Sequence, residues 1–284
     1  MQGVEPGDEG LCQAFALTPV LISASMAQRY LNLGPNTDFA LKVNTGMNRL
    51  GLEPAQLLDL VPRLPASSCR LLMSHLACAD EPGHALNAEQ LRQFHALAEV
   101  ARVALPQLQL SLANSAGIFL GGAYQFDIVR PGAALYGINP GNVAADVLNP
   151  VAQLLVQVIQ TRILAAGDCV GYGAMFVAER ETPVVMVSGG YADGLMRALS
   201  QRGCAWFKGV QLPLIGRVSM DSLVFDVSLL PHALRPVEGD RLEIFGPNVC
   251  IDTQAQTAGT IGYEIFTRLG DRCQRQYLSA PESA

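Results

Sequence analysis

The chain is 284 residues long; half of its residues are apolar, 15% are charged, and its formal net charge is −6. This composition is typical of a compact globular protein and excludes a disordered or fibrous chain. Because no basic run accompanies the negative charge, the sequence gives no reason to expect nucleic acid or an anionic membrane as a partner.

The first half of the sequence alternates short apolar strands with helical patterns. The clearest helix is expected to begin at an N-cap on Asn87, with Gln90 as its capping-box partner. Strands separated by helices predict βαβ units in a parallel sheet. The predicted strands are residues 18–23, 39–44, 71–76, 108–113 and 126–130.

From about residue 141 the pattern changes to strands separated by turns, with Lys208 and Gly209 at a predicted hairpin turn. A segment rich in Gly, Pro and Asn at 141–151 marks the boundary. We therefore predict an α/β domain over residues 1–145 and a mainly β domain over residues 146–284. Its predicted strands are residues 151–164, 183–188, 204–207, 223–227 and 242–245.

The number of strand–helix pairs in the first half leaves two architectures open. A closed eight-stranded α/β barrel needs about 250 residues, whereas the first half supplies only about five strand–helix pairs. Either this domain is an open α/β sheet, or about three pairs are missing from its N-terminal side. A partial barrel would expose strand edges, so we expect aggregation or oligomers larger than a dimer.

The cysteines and the start of the chain indicate a compartment. Seven cysteines stand singly, with no Cys-x-x-Cys pair, as is typical of thiols in a reducing cytosol. The sequence has no apolar stretch of membrane-spanning length and no signal-peptide pattern. We therefore expect a cytoplasmic protein without disulfides, and we predict no metal site.

Six segments carry a resemblance to a known family. In order and spacing they resemble the signatures of the alanine racemases, which depend on pyridoxal 5'-phosphate (PLP) and have fold type III. One such motif would be weak evidence, but six in order leave little room for chance. The segments are residues 41–51 (LKVNTGMNRLG), 130–137 (RPGAALYG), 170–174 (VGYGA), 190–194 (GYADG), 216–221 (GRVSMD) and 260–265 (TIGYEI).

The resemblance implies a PLP-binding (β/α)8 barrel of the TIM type, incomplete here because about three strand–helix pairs are missing, followed by a C-terminal β domain. It also implies a phosphate site after the last two predicted strands, where such barrels commonly bind phosphate. Without the resemblance, the residues of this phosphate site would be interpreted as ordinary small residues at turns. The implied phosphate ligands are Asn114, Ser115, Gly132 and Ala133, with a further hydrogen bond from Tyr263.

Arg130 is implied to face the pyridine nitrogen of PLP. Because arginine keeps its protons, it leaves that nitrogen largely unprotonated and makes the ring a weaker electron sink. This favours clean proton exchange over side reactions such as transamination.

Racemisation requires an acid–base group on each face of the substrate Cα. The resemblance implies that Tyr172, between Gly171 and Gly173, is one of them and reaches into the active site of the other subunit of a homodimer. Because a phenol ionises only near pH 10, such a base needs a tuning partner. His75, with Arg130 behind it, matches that partner in the family. Outside this context a tyrosine is more often a packing residue and a lone histidine a structural one.

The resemblance also implies how the substrate is held. Arg49 grips the carboxylate together with the backbone N–H of Met220 from the partner chain. Lys42 alternates with apolar neighbours and so points into the barrel, where an uncompensated ammonium is costly. In the family the matching lysine can be carbamylated; the alternative is a buried lysine paired with a carboxylate. Further residues match the family's access corridor, which admits small amino acids: Asp80, Tyr191, Arg197, Arg217 and Ile261.

The chain contains only two lysines, Lys42 and Lys208. In the family a Schiff-base lysine on the first barrel strand holds PLP and is the second acid–base group, in a Lys-Ala-Asn-Ala-Tyr-Gly-like motif that is not found here. Lys42 is assigned to another role and Lys208 to a surface hairpin. We therefore expect the Schiff-base lysine to be absent from this chain, and the chain alone to be inactive.

The sequence thus predicts an alanine racemase, an isomerase that interconverts L- and D-alanine for peptidoglycan precursors, truncated at its N-terminus. Two alternatives stay open. One is a degenerate, non-catalytic relative that serves as a dimerisation or binding protein. The other is a racemase for another small amino acid, such as serine.

Overall fold

The computed structural model describes residues 3–34, 37–65, 68–141, 143–144 and 147–278. The chain divides into two compact units. One, the α/β unit, comprises residues 1–134 and 140–145; the other, the β unit, comprises residues 135–139 and 146–284. The α/β-plus-β fold class predicted from the sequence is confirmed.

The α/β unit contains a parallel four-stranded sheet in the order β1-β2-β3-β4. Because the carboxyl ends of parallel strands lie at one edge of a sheet, the loops after these strands gather there. The strands are β1 Val20–Leu21, β2 Phe39–Lys42, β3 Cys69–Met73 and β4 Gln109–Ser111. The helices are α1 Glu9–Ala14, α2 Ala24–Leu31, α3 Pro54–Leu60, α4 Ala85–Ala104 and α5 Ser115–Ile118.

The core of the α/β unit lies between the sheet and its helices. All four residues of β2 are buried. Helix α4 buries Phe94, Leu97, Ala98 and Ala101, whose spacing places them on one face of the helix. Burying a side chain such as Phe94 contributes about 1.5–3 kcal/mol. This packing fixes the strand ends from which the polar side chains project.

The predicted strand at 126–130 is wrong. The segment lies beside β4, but the N–H groups of Asp127 and Ile128 both donate to the carbonyl of Leu110, and Arg130 N–H donates to Ala113. A regular ladder gives each carbonyl its own partner, and Phe126 has a φ of 52°. The chain is therefore irregular here, although it still delivers Arg130 to the end of β4.

The predicted N-cap of α4 is also wrong. The helix begins at Ala85, and Nδ1 of His84 accepts a hydrogen bond from Leu86 N–H. Asn87 instead donates through Nδ2 to the carbonyls of Cys78 and Glu81, which closes the loop before the helix. An Asn followed three residues later by Gln is thus not a capping box in this chain.

The β unit is built on a closed barrel of six antiparallel strands in the order β10-β11-β8-β5-β12-β9. The predicted turn at Lys208 and Gly209 is confirmed, since Phe207 pairs with Val210 across it. The barrel strands are β5 Leu154–Leu164, β8 Thr182–Ser188, β9 Cys204–Phe207, β10 Val210–Ile215, β11 Ser222–Asp226 and β12 Arg241–Phe245.

Four further elements complete the β unit. Strands β6 Cys169–Val170 and β7 Phe176–Val177 form a small hairpin, and helices α6 Ile251–Ala258 and α7 Gly262–Arg268 follow the barrel. The sequence did not predict these four elements or β10. In the described ranges, none of the helices combines the length and the apolar character needed to span a bilayer.

Candidate active site

Arg130 is the centre of a partly buried polar cluster in the α/β unit. Its Nη1 donates to Ser111 Oγ, and its Nη2 donates to the carbonyls of Ser74 and, at 3.2 Å, Leu112. Nη2 also lies 3.4 Å from Nδ1 of His75. Burial lowers the pKa of Arg130 to about 10, so the guanidinium remains protonated at neutral pH. Its Nε is buried and has no partner in the described residues.

His75, in the loop after β3, is neutral at physiological pH. Burial, followed by the positive charges of Arg130, Lys42 and Arg49, lowers its pKa to about 4. Because Arg130 can only donate, Nδ1 of His75 is the acceptor and the ring proton resides on Nε2. His75 is therefore a neutral hydrogen-bond donor at a fixed position.

Lys42, at the end of β2, is only 3% exposed. Burial lowers its pKa, and the charges of Arg49 and Arg130 lower it further. Within the described ranges, Lys42 forms no ion pair with a carboxylate. The described residues therefore do not provide the carboxylate partner that the alternative interpretation of Lys42 requires.

Arg49 lies in the loop that follows β2 and is exposed. It forms no ion pair with any residue that the structure describes. Asn44 shapes this loop, since its Oδ1 accepts hydrogen bonds from the N–H groups of Gly46 and Asn48. Among the described residues, Arg49 is thus a guanidinium without an ion-pair partner on an organised loop.

The small residues assigned to the phosphate lie together at the end of the same sheet. Ser115 Oγ accepts from the N–H groups of Gly132, at 2.8 Å, and Ala134, at 3.3 Å. A Cβ added to Gly132 would meet no atom within 4 Å, so open space adjoins it. Ala133 is buried, and Asn114 caps α5 by accepting from Gly117 N–H. Capping already gives Asn114 a structural role.

Tyr172 belongs to the β unit, where it is 72% exposed on a short helical turn between β6 and β7. Its neighbours Gly171 and Gly173 have φ angles of 69° and 73°, which L side chains adopt only with strain. The guanidinium of Arg217 lies beside Gly173, and its Nε is 3.1 Å from Sδ of Met175. The turn therefore leaves the phenol exposed to solvent.

Met220 and Tyr191 lie on two loops that are joined by backbone hydrogen bonds. Tyr191 N–H donates to the carbonyl of Ser219, and Ala192 N–H donates to that of Met220. Arg272 spans the same loops through ion pairs with Asp193 and Asp221, at 3.1 and 2.6 Å. Arg272 was not predicted as a functional residue, because nothing in its local sequence pattern indicates this role.

The proposed corridor residues are distributed over both units. Tyr191 and Arg197 line one open cleft of about 480 Å³ in the β unit, together with Thr260 and Arg268. Ile261 and Tyr263 are exposed at the start of α7. Asp80 is exposed in the α/β unit, in the loop after β3. The structure thus brings Tyr191 and Arg197 into one cleft.

The fold and the site together define a class of protein. An α/β unit places a half-buried arginine, a neutral histidine and an exposed arginine near the ends of parallel strands, beside a cluster of small residues. A separate antiparallel barrel carries an exposed tyrosine on a glycine-flanked turn. This is the class of two-domain proteins that combine a parallel α/β domain with an antiparallel β-barrel domain.

The comparisons with known proteins give the family. Residues 1–140 match the N-terminal domain of alanine racemase, and residues 151–277 match its C-terminal domain. The chain therefore belongs to the alanine racemase family, which is PLP-dependent and whose enzymes are isomerases.

Individual relatives match most of the chain. It is 44% identical to a catabolic alanine racemase of Agrobacterium fabrum, over 98% of this chain and 72% of the relative. Two solved structures superpose on this chain with a TM-score of 0.89 each. In both cases the match includes 98% of this chain and 78% of the solved chain. One is the alanine racemase of Bartonella henselae with covalently bound PLP, 34% identical, and the other the biosynthetic alanine racemase of Pseudomonas aeruginosa, 36% identical.

Proposed function

We propose that this protein takes part in the PLP-dependent interconversion of L- and D-alanine. The observation that carries the proposal is the cluster of protonated Arg130, neutral His75 and free Arg49 in a chain whose relatives are named alanine racemases. The proposed biological role is to supply D-alanine for peptidoglycan.

The residues present fit the ring and phosphate ends of PLP. Buried Nε of Arg130 lacks a partner, as expected of a group that awaits a polar atom, and we assign this side chain to the pyridine nitrogen. The open space at Gly132 and the hydroxyl of Ser115 suit a phosphate, with Ala133, Asn114 and Tyr263 as further ligands. When bound, PLP withdraws electrons from the substrate Cα, so that the Cα proton becomes acidic.

Arg49 and Met220 are proposed to bind the substrate carboxylate. A guanidinium without an ion pair is suited to a bidentate contact with a carboxylate. The N–H of Met220 has no acceptor within the described part of the chain, and the residue is half exposed. The two contacts would orient Cα and exclude water from it.

Tyr172 is proposed to move the proton on one face of Cα. His75 would support it by donating from Nε2, because Arg130 occupies Nδ1. Since Tyr172 and Met220 are exposed on the β unit, we propose that they serve the active site of a partner subunit in a homodimer. A cytoplasmic location is proposed with this role.

Neither lysine of this chain fits the second proton-transfer role. Lys208 is exposed at a hairpin turn of the β unit, and Lys42 supports the arginine cluster. We propose that the lysine that holds PLP lies outside these 284 residues, which is compatible with a chain that covers 72% of the Agrobacterium fabrum relative. We also propose that Lys42 is carbamylated: its neutral amine adds to CO2, a proton leaves to water, and the resulting negative charge lies near Arg49 and Arg130.

A chimera tests the proposed function. The segment of the Agrobacterium fabrum relative that precedes its match to this chain is placed before residue 1, PLP is added, and conversion of L-alanine to D-alanine is followed by chiral chromatography. We expect racemisation by the chimera, none by the 284-residue chain, and a loss of about a hundredfold or more in the Tyr172→Phe chimera. A folded chimera that binds PLP but racemises no amino acid would contradict the proposal, and racemisation of serine alone would shift it to another substrate.

A further inference from the structure

We propose that Gln90 is a positioning residue, whose amide fixes the segment that contains His75 against the loop that carries Arg49. The role rests on the proposed function, because it assigns Gln90 to the support of that site. It depends, however, on contacts entirely within the α/β unit.

The amide of Gln90 reaches from helix α4 to two strand ends. Its Nε2 donates to the carbonyl of His75 at 2.8 Å and to Thr45 Oγ1 at 3.2 Å, and its Oε1 accepts from Ala77 N–H at 2.9 Å. The amide therefore holds the backbone on both sides of Leu76. The contact with Thr45 joins this segment to the loop after β2.

A second pair of hydroxyl groups closes the network. Thr45 Oγ1 and Ser74 Oγ lie 2.7 Å apart. The carbonyl of Ser74 in turn accepts a hydrogen bond from Nη2 of Arg130. A displacement of the Gln90 side chain would thus shift His75 directly, and it would shift Arg130 through Ser74.

Gln90, Thr45 and Ser74 are all buried, with exposures of 0%, 1% and 1%. Both amide protons of Gln90 and its carbonyl oxygen have partners, so its hydrogen-bonding capacity is used at three points. A buried polar network in which every member is satisfied specifies one geometry, because any shift leaves a buried group without its partner.

Helix α4 does not need this amide for its own termination. His84 caps the helix, and Gln90 lies beyond the first turn, where backbone N–H groups already have helical partners. Gln93, on the same helix, shows the ordinary behaviour of a glutamine, since its Nε2 bonds to the side chain of Glu89. Gln93 is therefore the matched control.

The charged groups that act on His75 are Arg130, Lys42 and Arg49. Burial is the largest cause of its low pKa. If Gln90 no longer holds the His75 carbonyl, the ring gains access to water and the position of Nδ1 against Arg130 loosens. The pKa of His75 therefore reports on whether Gln90 holds this segment in place, and it can be measured without a cofactor.

The test compares Gln90→Met, which keeps the length of the side chain but removes its hydrogen bonds, with Gln93→Met. The four histidines of the chain are followed by NMR during a pH titration, with His75→Gln as the assignment control. We expect Gln90→Met to raise the midpoint of His75 by about half a pH unit or more, toward its ordinary value, and Gln93→Met to leave it unchanged. A folded Gln90→Met protein with the wild-type midpoint overturns the proposal.

Thr45→Val provides the same test if Gln90→Met does not fold, because it removes the hydroxyl that joins the two strand ends at nearly constant volume. A smaller rise of the His75 midpoint is expected, and no change in the folded variant overturns the proposal. In the PLP-loaded chimera, Gln90→Met is expected to lower kcat about tenfold or more with a smaller change in KM. If the chimera shows no racemisation, the proposed function fails while the titration still decides the role of Gln90.

Discussion

Nη2 of Arg130 lies 3.4 Å from Nδ1 of His75, so a guanidinium that stays protonated faces the ring nitrogen that would otherwise take up a proton. The positive charge of Arg130 is the largest cause, after burial, of the low pKa of His75. The histidine is thereby kept neutral, and its remaining proton is directed outward on Nε2.

Replacing Arg130 by Gln should raise the pKa of His75 from about 4 toward its ordinary value, because the nearest positive charge is removed while the polar partner remains. The midpoint can be read from the NMR titration of the histidine ring. Arg102→Gln, which removes a surface ion pair with Asp127, is the control and should have no effect. An unchanged midpoint in Arg130→Gln would show that burial and the charges of Lys42 and Arg49 set the pKa without Arg130.

The same histidine should make the α/β unit sensitive to acid. Its pKa is about 4 in the folded protein and near 6.5 in an unfolded chain, so between these values the unfolded chain binds more protons. Stability should therefore fall as the pH decreases from about 6.5 to about 4, by up to about 2 kcal/mol after allowance for partial exposure.

Denaturant unfolding of the wild type and of His75→Gln at several pH values measures this effect. Other groups, including the carboxylate of Glu243, also lose stabilising contacts in acid, so the quantity of interest is the difference between the two proteins. The difference in the free energy of unfolding between the two proteins should change between about pH 6.5 and about pH 4. A constant difference would contradict the assignment of a depressed pKa to His75.

The extent to which the fold could be predicted differs between elements. Strand β9 was predicted at its observed bounds because apolar residues precede a Lys-Gly turn, which specifies a hairpin by itself. The segment 126–130 has the composition of a strand, but two of its N–H groups share the carbonyl of Leu110. Whether an apolar segment forms a regular ladder depends on its neighbour, which the local sequence does not contain.

The site shows a similar limit. His75, Arg130 and Tyr172 were identified by resemblance, because a single histidine or tyrosine has no local pattern that separates chemistry from packing. Gln90 was interpreted as a capping residue, since its spacing from Asn87 fits that motif. Its contacts with Thr45 and His75 join residues 45 and 15 positions apart, and they arise only when the helix packs on the sheet.

Carbamylation of Lys42 can be observed directly. Protein equilibrated with ¹³C-bicarbonate should give a carbamate carbon signal by NMR that is lost in Lys42→Met, because the low pKa of the buried amine favours the neutral form that reacts with CO2. Lys208 is the only other lysine, so Lys208→Met is the matched side-chain control and should retain the signal, whereas the α-amino group, which also reacts with CO2, contributes equally in all three proteins. A signal of equal strength in Lys42→Met, or none in the wild type, would exclude the carbamate.

Glu243→Gln should destabilise the β unit by about 2–3 kcal/mol. The buried carboxylate accepts from Gln153 Nε2 at 2.8 Å, from Asn248 N and Nδ2 at 2.7 and 2.9 Å, and from Val249 N at 3.0 Å. An amide would turn its own N–H groups toward some of these donors. Chemical denaturation measures the loss, and the exposed Glu238→Gln should stay close to the wild type; equal stability of the two variants would contradict the account.

Gly190→Ala should displace the loop that carries Met220. The backbone of Gly190 is extended and would accept any residue, but an added Cβ would overlap the carbonyl groups of Ser219 and Met220. The loop must move, at a cost of about 1–3 kcal/mol, which thermal unfolding would detect as a lower Tm. Gly270→Ala is the control, because a Cβ there meets no atom within 4 Å.

The same displacement should affect substrate binding in the PLP-loaded chimera. Because the N–H of Met220 is proposed to bind the carboxylate both before and during proton transfer, Gly190→Ala should raise KM for alanine by about tenfold with a smaller change in kcat. A variant that unfolds earlier yet keeps the wild-type KM would separate the structural role of Gly190 from the proposed role of Met220. The opposite pattern, a loss confined to kcat, would place Met220 outside the carboxylate site.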